Sequence, residues 1–295
     1  MSTLETIQRF SGHQGAIYDA DWDESTQSWL TAGGDGVIAE WQTDQRAEGK
    51  ALLHHDQAFF TIKSHREYRV AGAENGELFL WKSLESSSIQ RITAHNGGVF
   101  SVNWLNDNIF YSGGGDERVI RWNTGIVERD WTLKNTRKIR CIGMGSPGVF
   151  IGCSSGEVIL CTDLNSKDSI TDGRRFIGHE GGTYDAIWHE AKKVWISGGR
   201  DGHLKVWDRH GSLILTFPAH EQSIYRLRTD GIKLWTSSRD KTIKAWDLKD
   251  LSPILKISSK DGGSSRSINA LAIGGSQKNE VLFGGDDRLV RKLVV

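Results

Sequence analysis

Two glycine-rich motifs, ten histidines, three cysteines and many aspartates are the residues of this 295-residue chain that could do chemistry. Gly143-Met144-Gly145-Ser146-Pro147-Gly148 has the G-x-G-x-x-G spacing that seats a pyrophosphate at the N-terminus of a following helix. The next residues, Val149-Phe150-Ile151-Gly152-Cys153, have a strand pattern, so these glycines read as a turn between strands. Gly152-Cys153-Ser154-Ser155-Gly156 has the G-x-S-x-G spacing of a nucleophile elbow, which needs a strand-to-helix turn with His and acidic partners. It lies in register with Gly198–Gly202 and reads as a tight turn between strands. The histidines include the pair His54-His55, yet five of the ten recur at one place in a repeat, and no His/Cys pair has zinc-type spacing. No metal and no cofactor are expected. Cys141, Cys153 and Cys161 sit at odd offsets in strand-like sequence and read as small hydrophobes of a core. The aspartates form no acid–base pair, so no catalytic residues are expected and the chain reads as a non-enzyme.

The elements that must position these residues come in seven copies. A Gly/Ser-rich turn leads through a short alternating strand to a fixed last position, in Ala32–Trp41, Gly72–Trp81, Gly113–Trp122, Gly152–Cys161, Gly198–Trp207, Ser237–Trp246 and Gly284–Leu293. The endings are 39 to 47 residues apart, and five of the seven are tryptophan. A period of that length signals stacked or radially arranged units. Glycine is abundant (34), proline scarce (3), and no window carries helical apolar spacing, so the class is all-β. Repeats this even leave no room for a second unit, and a single domain over 1–295 is expected.

Lys+Arg and Asp+Glu both number 37, so no global field gathers nucleic acid or an anionic membrane. An odd cysteine count without a disulfide framework fits a reducing compartment, and the N-terminus carries no apolar run of signal-peptide length. No stretch approaches a membrane span. A cytoplasmic protein, monomeric by itself, is the expectation.

A second signature precedes most endings, a histidine followed by an apolar–aromatic pair: His13 with Ile17-Tyr18, His55 with Phe59-Phe60, His95 with Val99-Phe100, His179 with Thr183-Tyr184, His220 with Ile224-Tyr225. The fourth and seventh units keep only the strand, at Ile139-Arg140 and Ile268-Asn269. Units that run from Gly178-His179 to Trp207-Asp208 resemble the WD-repeat β-propeller family. The resemblance covers the whole chain, although Trp-Asp itself occurs only twice, at Trp207-Asp208 and Trp246-Asp247. It implies a seven-bladed β-propeller of four-stranded antiparallel blades. Residues 1–10 would supply the outer strand of blade seven, since Leu4–Phe10 precedes Gly12-His13 as Ser87–Thr93 precedes Ala94-His95, leaving a closed ring with no free edge.

The resemblance also implies a buried tetrad of tryptophan, hydroxyl, histidine and turn aspartate. Four units carry all members: His13, Thr31, Asp35, Trp41; His95, Ser112, Asp116, Trp122; His179, Ser197, Asp201, Trp207; His220, Thr236, Asp240, Trp246. A neutral imidazole can donate at one nitrogen and accept at the other, whereas indole only donates, so the set can be mutually satisfied. Blade two is degraded (His55, Ala71, Asn75, Trp81) and blades four and seven have lost the set, so those two are expected to be the least rigid.

Five residues after the histidine the first strand emerges toward the face where this family commonly binds peptides and proteins. That position reads Tyr18, Phe60, Phe100, Arg140, Tyr184, Tyr225 and Asn269. Aromatics give large contact area at low entropy cost, and arginine joins them in hot spots. The residue before each turn aspartate is a second such position: Gly34, Glu74, Gly115, Ser154, Arg200, Arg239 and Asp286. With Lys138 and Arg140, Arg200 and Arg239 make blades four to six basic. The expected function is an interaction scaffold for a protein or peptide partner with an apolar anchor and an acidic flank, without membrane binding. Plugging of the channel by the aromatics, a propeller enzyme acting on a small molecule, and a nucleic-acid binder using the basic side are the alternatives. Ser258–Ser267 is expected to be a mobile flap on the same face, and Thr162–Asp172 a long connection on the opposite one.

Overall fold

Alternating strands punctuated by glycine turns can bury both faces only by stacking sheet on sheet, and the chain does so seven times. The computed structural model describes residues 7–42, 49–162, 170–275 and 279–294. They form 28 strands and one short 3-10 turn, with the strands in seven four-stranded antiparallel sheets, the blades of a β-propeller. Blade one is typical: Ile17–Asp23, Ser28–Gly33, Val37–Gln42 and Lys50–His54 pair in chain order. Blade seven takes three strands from the end of the sequence and its fourth from the beginning, where Gln8, Arg9 and Phe10 pair with Lys292, Arg291 and Val290. Of the expected closing segment 1–10, residues 1–6 lie outside the described residues, as does most of Thr162–Asp172.

The chain divides into two compact units: Met1–Ala71 with Phe79–Gln90 and Arg228–Val295, and Gly72–Leu78 with Arg91–Leu227. The first holds blades seven and one entire, the second blades three, four and five. In both, the second strand of a blade is the most buried. Every residue of Ser28–Gly33, Ile109–Gly114 and Gly148–Cys153 is buried, because each has a strand on either side and a packed layer above and below.

First strands lack a sheet neighbour on one side, and their backbone amides still need acceptors. The preceding blade provides them. Asp19 Oδ2 accepts from the Ile62 amide (3.2 Å) and the Thr61 hydroxyl (3.0 Å). Ser101 Oγ accepts from the Ile142 amide (3.0 Å) and Asp185 Oδ2 from the Leu227 amide (2.9 Å). These three acceptors share one position, six residues beyond the blade histidine, so the same offset rivets blade to blade.

A second rivet has no counterpart among the repeat motifs. Arg69, on the second strand of blade two and 1% exposed, donates to Asp23 Oδ2 (2.5 Å), Glu40 Oε1 (2.8 Å) and Thr26 Oγ1 (2.8 Å), while the Ser83 hydroxyl also meets Asp23 (2.9 Å). Burial alone would raise the Asp23 carboxyl, but Ser25, Arg69 and Ser83 hold it below the usual value.

Two expectations are corrected. Closure by the N-terminal strand completes blade seven without removing free edges, since each sheet still ends in an outer strand. The stretch Ser258–Ser267, expected as a mobile flap from its Gly/Ser content, contains a 3-10 turn (Ser259–Asp261) with a complete Ser258/Asp261 capping box and Gly262 at φ 86° as its C-cap. Buried Ser264 then donates to Asp287 (2.7 Å). Polar side chains that looked like linker composition are used as caps.

Breaking the Arg69 rivet leaves Asp23 buried without its cation. Arg69→Met should therefore cost about 3–5 kcal/mol in urea unfolding, and the double variant Arg69→Met/Asp23→Asn should recover part of that loss.

Candidate interaction site

The tetrads set the frame. In blade one, His13 Nε2 meets Thr31 Oγ1 at 2.8 Å, His13 Nδ1 meets Asp35 at 3.0 Å, and Trp41 Nε1 donates to Thr31 at 2.8 Å. Blade three repeats this with His95–Ser112 (2.8 Å), His95–Asp116 (2.9 Å) and Trp122–Ser112 (2.9 Å). Blade five does so with His179–Ser197 (2.9 Å), His179–Asp201 (2.8 Å) and Trp207–Ser197 (2.9 Å). In blade six Trp246 donates to Thr236 (3.0 Å), Asp240 accepts from the Thr242 hydroxyl (2.6 Å), and His220 is buried.

The blades without a tetrad replace it as a block. Ten residues before Cys161 and Leu293, where the hydroxyl would stand, are Ile151 and Phe283, both fully buried, so no orphaned polar group remains there. Replacing all partners by apolar groups of fitting shape can be nearly neutral. Blade seven also keeps its turn aspartate busy: Asp287 accepts from Arg291 (2.7 Å) and Ser264. Cys141, Cys153 and Cys161 are buried free thiols, and burial pushes Cys153 up to about 12, an unreactive value. The glycines of the apparent dinucleotide motif lie in the hairpin of Ile139–Gly145 and Gly148–Cys153, with no helix after it.

The seven positions five residues past the histidine share one environment. Tyr18, Phe60, Phe100, Arg140, Tyr184, Tyr225 and Asn269 are all half-buried. In five of them the cause is a β-bulge. In blades one, three, four, five and seven the pairing of first and second strands skips one residue, and the skipped residue is Tyr18, Phe100, Arg140, Tyr184 or Asn269. A bulge residue has no partner across the ladder, and its side chain is re-aimed out of the pleat.

In the second unit four of these side chains form a continuous stack. Arg140 Cζ lies 4.7 Å from the Phe100 ring centre and 5.0 Å from that of Tyr184. Tyr184 stacks on Tyr225 at 5.7 Å and 17°. Lys138 Nζ sits 5.2 Å from the Phe100 ring. Glycine makes room beneath: a Cβ on Gly115 would come within 3.3 Å of the Phe100 ring, and one on Gly34 within 3.0 Å of Tyr18. In the first unit Tyr18 meets Phe60 edge-on at 5.4 Å, and Asn269 is tied by its amide to Asp286 (2.7 Å).

Arg140 is the anomaly of the stack. Its Nε is buried with no acceptor among the described residues. Burial lowers its proton affinity from the ordinary arginine value, Tyr184 works against this, and the charge of Arg226 adds to it. Arg226, which no sequence motif singled out, comes directly after Tyr225 and donates to its carbonyl at 3.3 Å. Its signal was only adjacency to a bulge position. Lys138 and Arg200 are exposed in the same unit, and Arg239 is exposed in the other. Chemically, this is a half-buried guanidinium clamped between rings, its Nε shut off from water, with Lys138 and Arg226 as further cations beside the stack.

No helix is long and apolar enough to cross a membrane. Among the described residues no three His, Cys, Asp or Glu side chains gather as metal ligands.

A family model described as "WD domain, G-beta repeat" matches residues 4–42, 86–123, 171–208 and 211–247, just over half of the chain. Eukaryotic translation initiation factor 3 subunit I of Bombyx mori is 24% identical over 81% of this chain and 76% of its own length. SIR4-interacting protein SIF2 of Saccharomyces cerevisiae is 28% identical over 65% of this chain and 39% of its own length. A ribosome biogenesis protein WDR12 homolog of Chlamydomonas reinhardtii is 23% identical over 72% of this chain and 46% of its own. The chain thus spans about three quarters of the first relative and less than half of the other two. Among solved structures, the WD40 β-propeller domain of Doa1 superposes with a TM-score of 0.84 over 99% of this chain and 97% of that one, at 17% identity.

The tetrads make two outcomes measurable. Ser112→Ala strands His95 Nε2 and Trp122 Nε1 together and should cost about 1–3 kcal/mol in denaturant unfolding. Acid should destabilise the protein in two stages. Burial holds His179 below 6.5, so the unfolded chain binds its proton first and stability falls as pH drops below that value. The Asp116 carboxyl, which burial would raise but His95 and the Asn96 amide hold at about 2, contributes stability above its unfolded value near 3.8 that is lost as pH falls toward 2. Thermal melts across pH 2–8 should show both stages, and Asp116→Asn should blunt the second.

Proposed function

From the premise that the chain belongs to the WD40 family of β-propellers, we propose that it is a non-enzymatic interaction module whose bulge residues hold a protein or peptide partner. The observation that carries this reading is the Phe100–Arg140–Tyr184–Tyr225 stack with its unpaired cation. A buried Nε–H without an acceptor is costly to keep, and a partner's carboxylate reaching the half-buried guanidinium would satisfy it with charge-assisted hydrogen bonds. The rings on either side offer apolar area for an anchor side chain, rigid because two χ angles define each ring and stacking fixes them.

The partner is accordingly a segment with an aromatic or aliphatic anchor and an acidic flank, read by Arg140 and Lys138 with Arg200 of the same unit, while Arg239, the corresponding position of the next blade, belongs to the first unit and is proposed as a partner contact there. Tyr18, Phe60 and Asn269 hold the corresponding position in blades one, two and seven and are proposed as partner contacts of the first unit, where Tyr18 and Phe60 meet edge-on. Relatives support the general reading: one is by name a subunit of a translation initiation factor, another by name an interacting partner of SIR4. Reducing conditions inside the cell suit three buried free thiols, and a cytoplasmic location is part of the proposal.

Labelled peptides carrying one Phe or Trp and three Glu, and their Lys counterparts, test it by fluorescence anisotropy. The acidic series should bind preferentially. Arg140→Gln and Tyr184→Ala should each weaken binding about 10- to 30-fold, the scale of a hot-spot truncation, with unchanged melting. Arg140→Lys should recover little, since an ammonium lacks the planar face that stacks. Equal binding of both series, indifference to Arg140→Gln, or preference for a single-stranded oligonucleotide would refute the proposal.

A further inference from the structure

Each blade presents an outer strand with one unpaired edge, a template for pairing with another chain unless charge or proline guards it. Six of the seven are guarded by charge. They read Gln8–Phe10 (QRF), Lys50–His54 (KALLH), Glu85–Thr93 (ESSSIQRIT), Ile126–Thr132 (IVERDWT), Arg174–Ile177 (RRFI) and Pro253–Ile257 (PILKI), each with at least one charged residue. The outer strand of blade five, Leu213–Pro218 (LILTFP), has none, and its proline stands at the last ladder position, leaving Leu213–Phe217 without either guard. It is instead apolar and exposed, with Leu213 47%, Ile214 59% and Leu215 44% accessible in succession. Leu213 and Leu215 keep their places opposite Trp207 and Val206, Ile214 is skipped by a bulge between them, and an added strand would bury part of this exposed apolar surface.

We infer that this edge pairs antiparallel with the same strand of a second copy of this chain. The charges flanking it favour that occupant. Exposed Arg209 and His210 precede the strand and exposed Glu221 lies beyond its end. Antiparallel pairing about a two-fold axis sets the basic end of one copy beside the acidic end of the other, at both ends, as an isologous contact requires. The uncharged centre brings no like charges together. One six-residue strand buries less than the roughly 1,200 Å² of a stable interface, so the dimer is weak. Self-association departs from the monomeric expectation.

Sedimentation velocity over about 1–300 µM protein reads the prediction, with dissociation expected on the order of tens of micromolar for so small an interface. The weight-average mass should climb from 32.9 kDa toward twice that value. Ile214→Lys and Leu215→Lys, both at exposed sites, should each hold the protein at monomer mass across the range. Ile254→Lys, on the guarded outer strand of blade six, should leave the climb intact. Arg209→Glu should weaken the dimer several-fold, and adding Glu221→Arg should restore it. Leu215→Cys or Thr216→Cys should form an intermolecular disulfide at least tenfold more readily than Ile254→Cys, the native thiols being buried. A constant monomer mass would overturn the inference, as would a dimer that survives both lysine variants with native circular dichroism. A wild-type monomer that instead takes up an extended apolar peptide along this strand would overturn the second copy as occupant. None of these variants touches the Arg140 stack, so peptide binding there is a separate readout.

Discussion

An imidazole joining the tight-turn carboxylate to the second-strand hydroxyl is the contact on which a complete blade depends. In blade three, His95 holds Asp116 at 2.9 Å and Ser112 at 2.8 Å, fastening the entering loop, the tight turn and the middle strand together. Asp116 in turn accepts from the Asn96 amide (2.8 Å) and the Arg118 amide (3.2 Å), so one carboxylate fixes both sides of the turn. Where the histidine is anchored, the first strand begins at a set point, and in blades four and seven, which lack it, the same bulge brings Arg140 and Asn269 to the same half-buried place.

That dependence explains why blades lacking the contact need not be looser. Removing one member would strand its partners; removing all and filling with Ile151 or Phe283 strands none. The expectation that blades four and seven are the least rigid counted missing hydrogen bonds without counting the apolar packing that came with their loss. In blade four, Ile151, Cys153, Ile159 and Cys161 share a core with Tyr111 and Trp131 of blade three, and Phe150, Val158 and Leu160 share one with Trp195 and Trp207 of blade five.

Much of the fold was legible because the repeat fixes register: the seven endings, the tetrad members and the N-terminal origin of blade seven's outer strand all come from aligning one unit with the next. Three features were not. The bulge that re-aims Tyr18, Phe100, Arg140, Tyr184 and Asn269 is a slip of pairing, and alternation in one strand carries no trace of what lies opposite. Arg69 sits in Tyr68-Arg69-Val70 like any solvated charge, and its burial depends on Asp23 and Glu40, 46 and 29 residues away. Ser258–Ser267 has linker composition, but the same short polar side chains that disfavour regular structure are the ones that cap turns.

Inner and outer edges obey different rules, and the exceptions locate the surfaces with something left to bind. Inner-edge amides are satisfied by Asp19, Ser101 and Asp185 of the preceding blade, and six outer edges carry charge that discourages pairing. Against that background Arg140 is a cation set among rings with its Nε unanswered, and Leu213–Pro218 is an edge without charge. Stability alone explains neither: a leucine at Arg140 would pack between Phe100 and Tyr184 without an orphaned donor, and a lysine at Ile214 would be better solvated. Sequences break local rules where another requirement prevails, and both breaks fall where one side is left open to a partner.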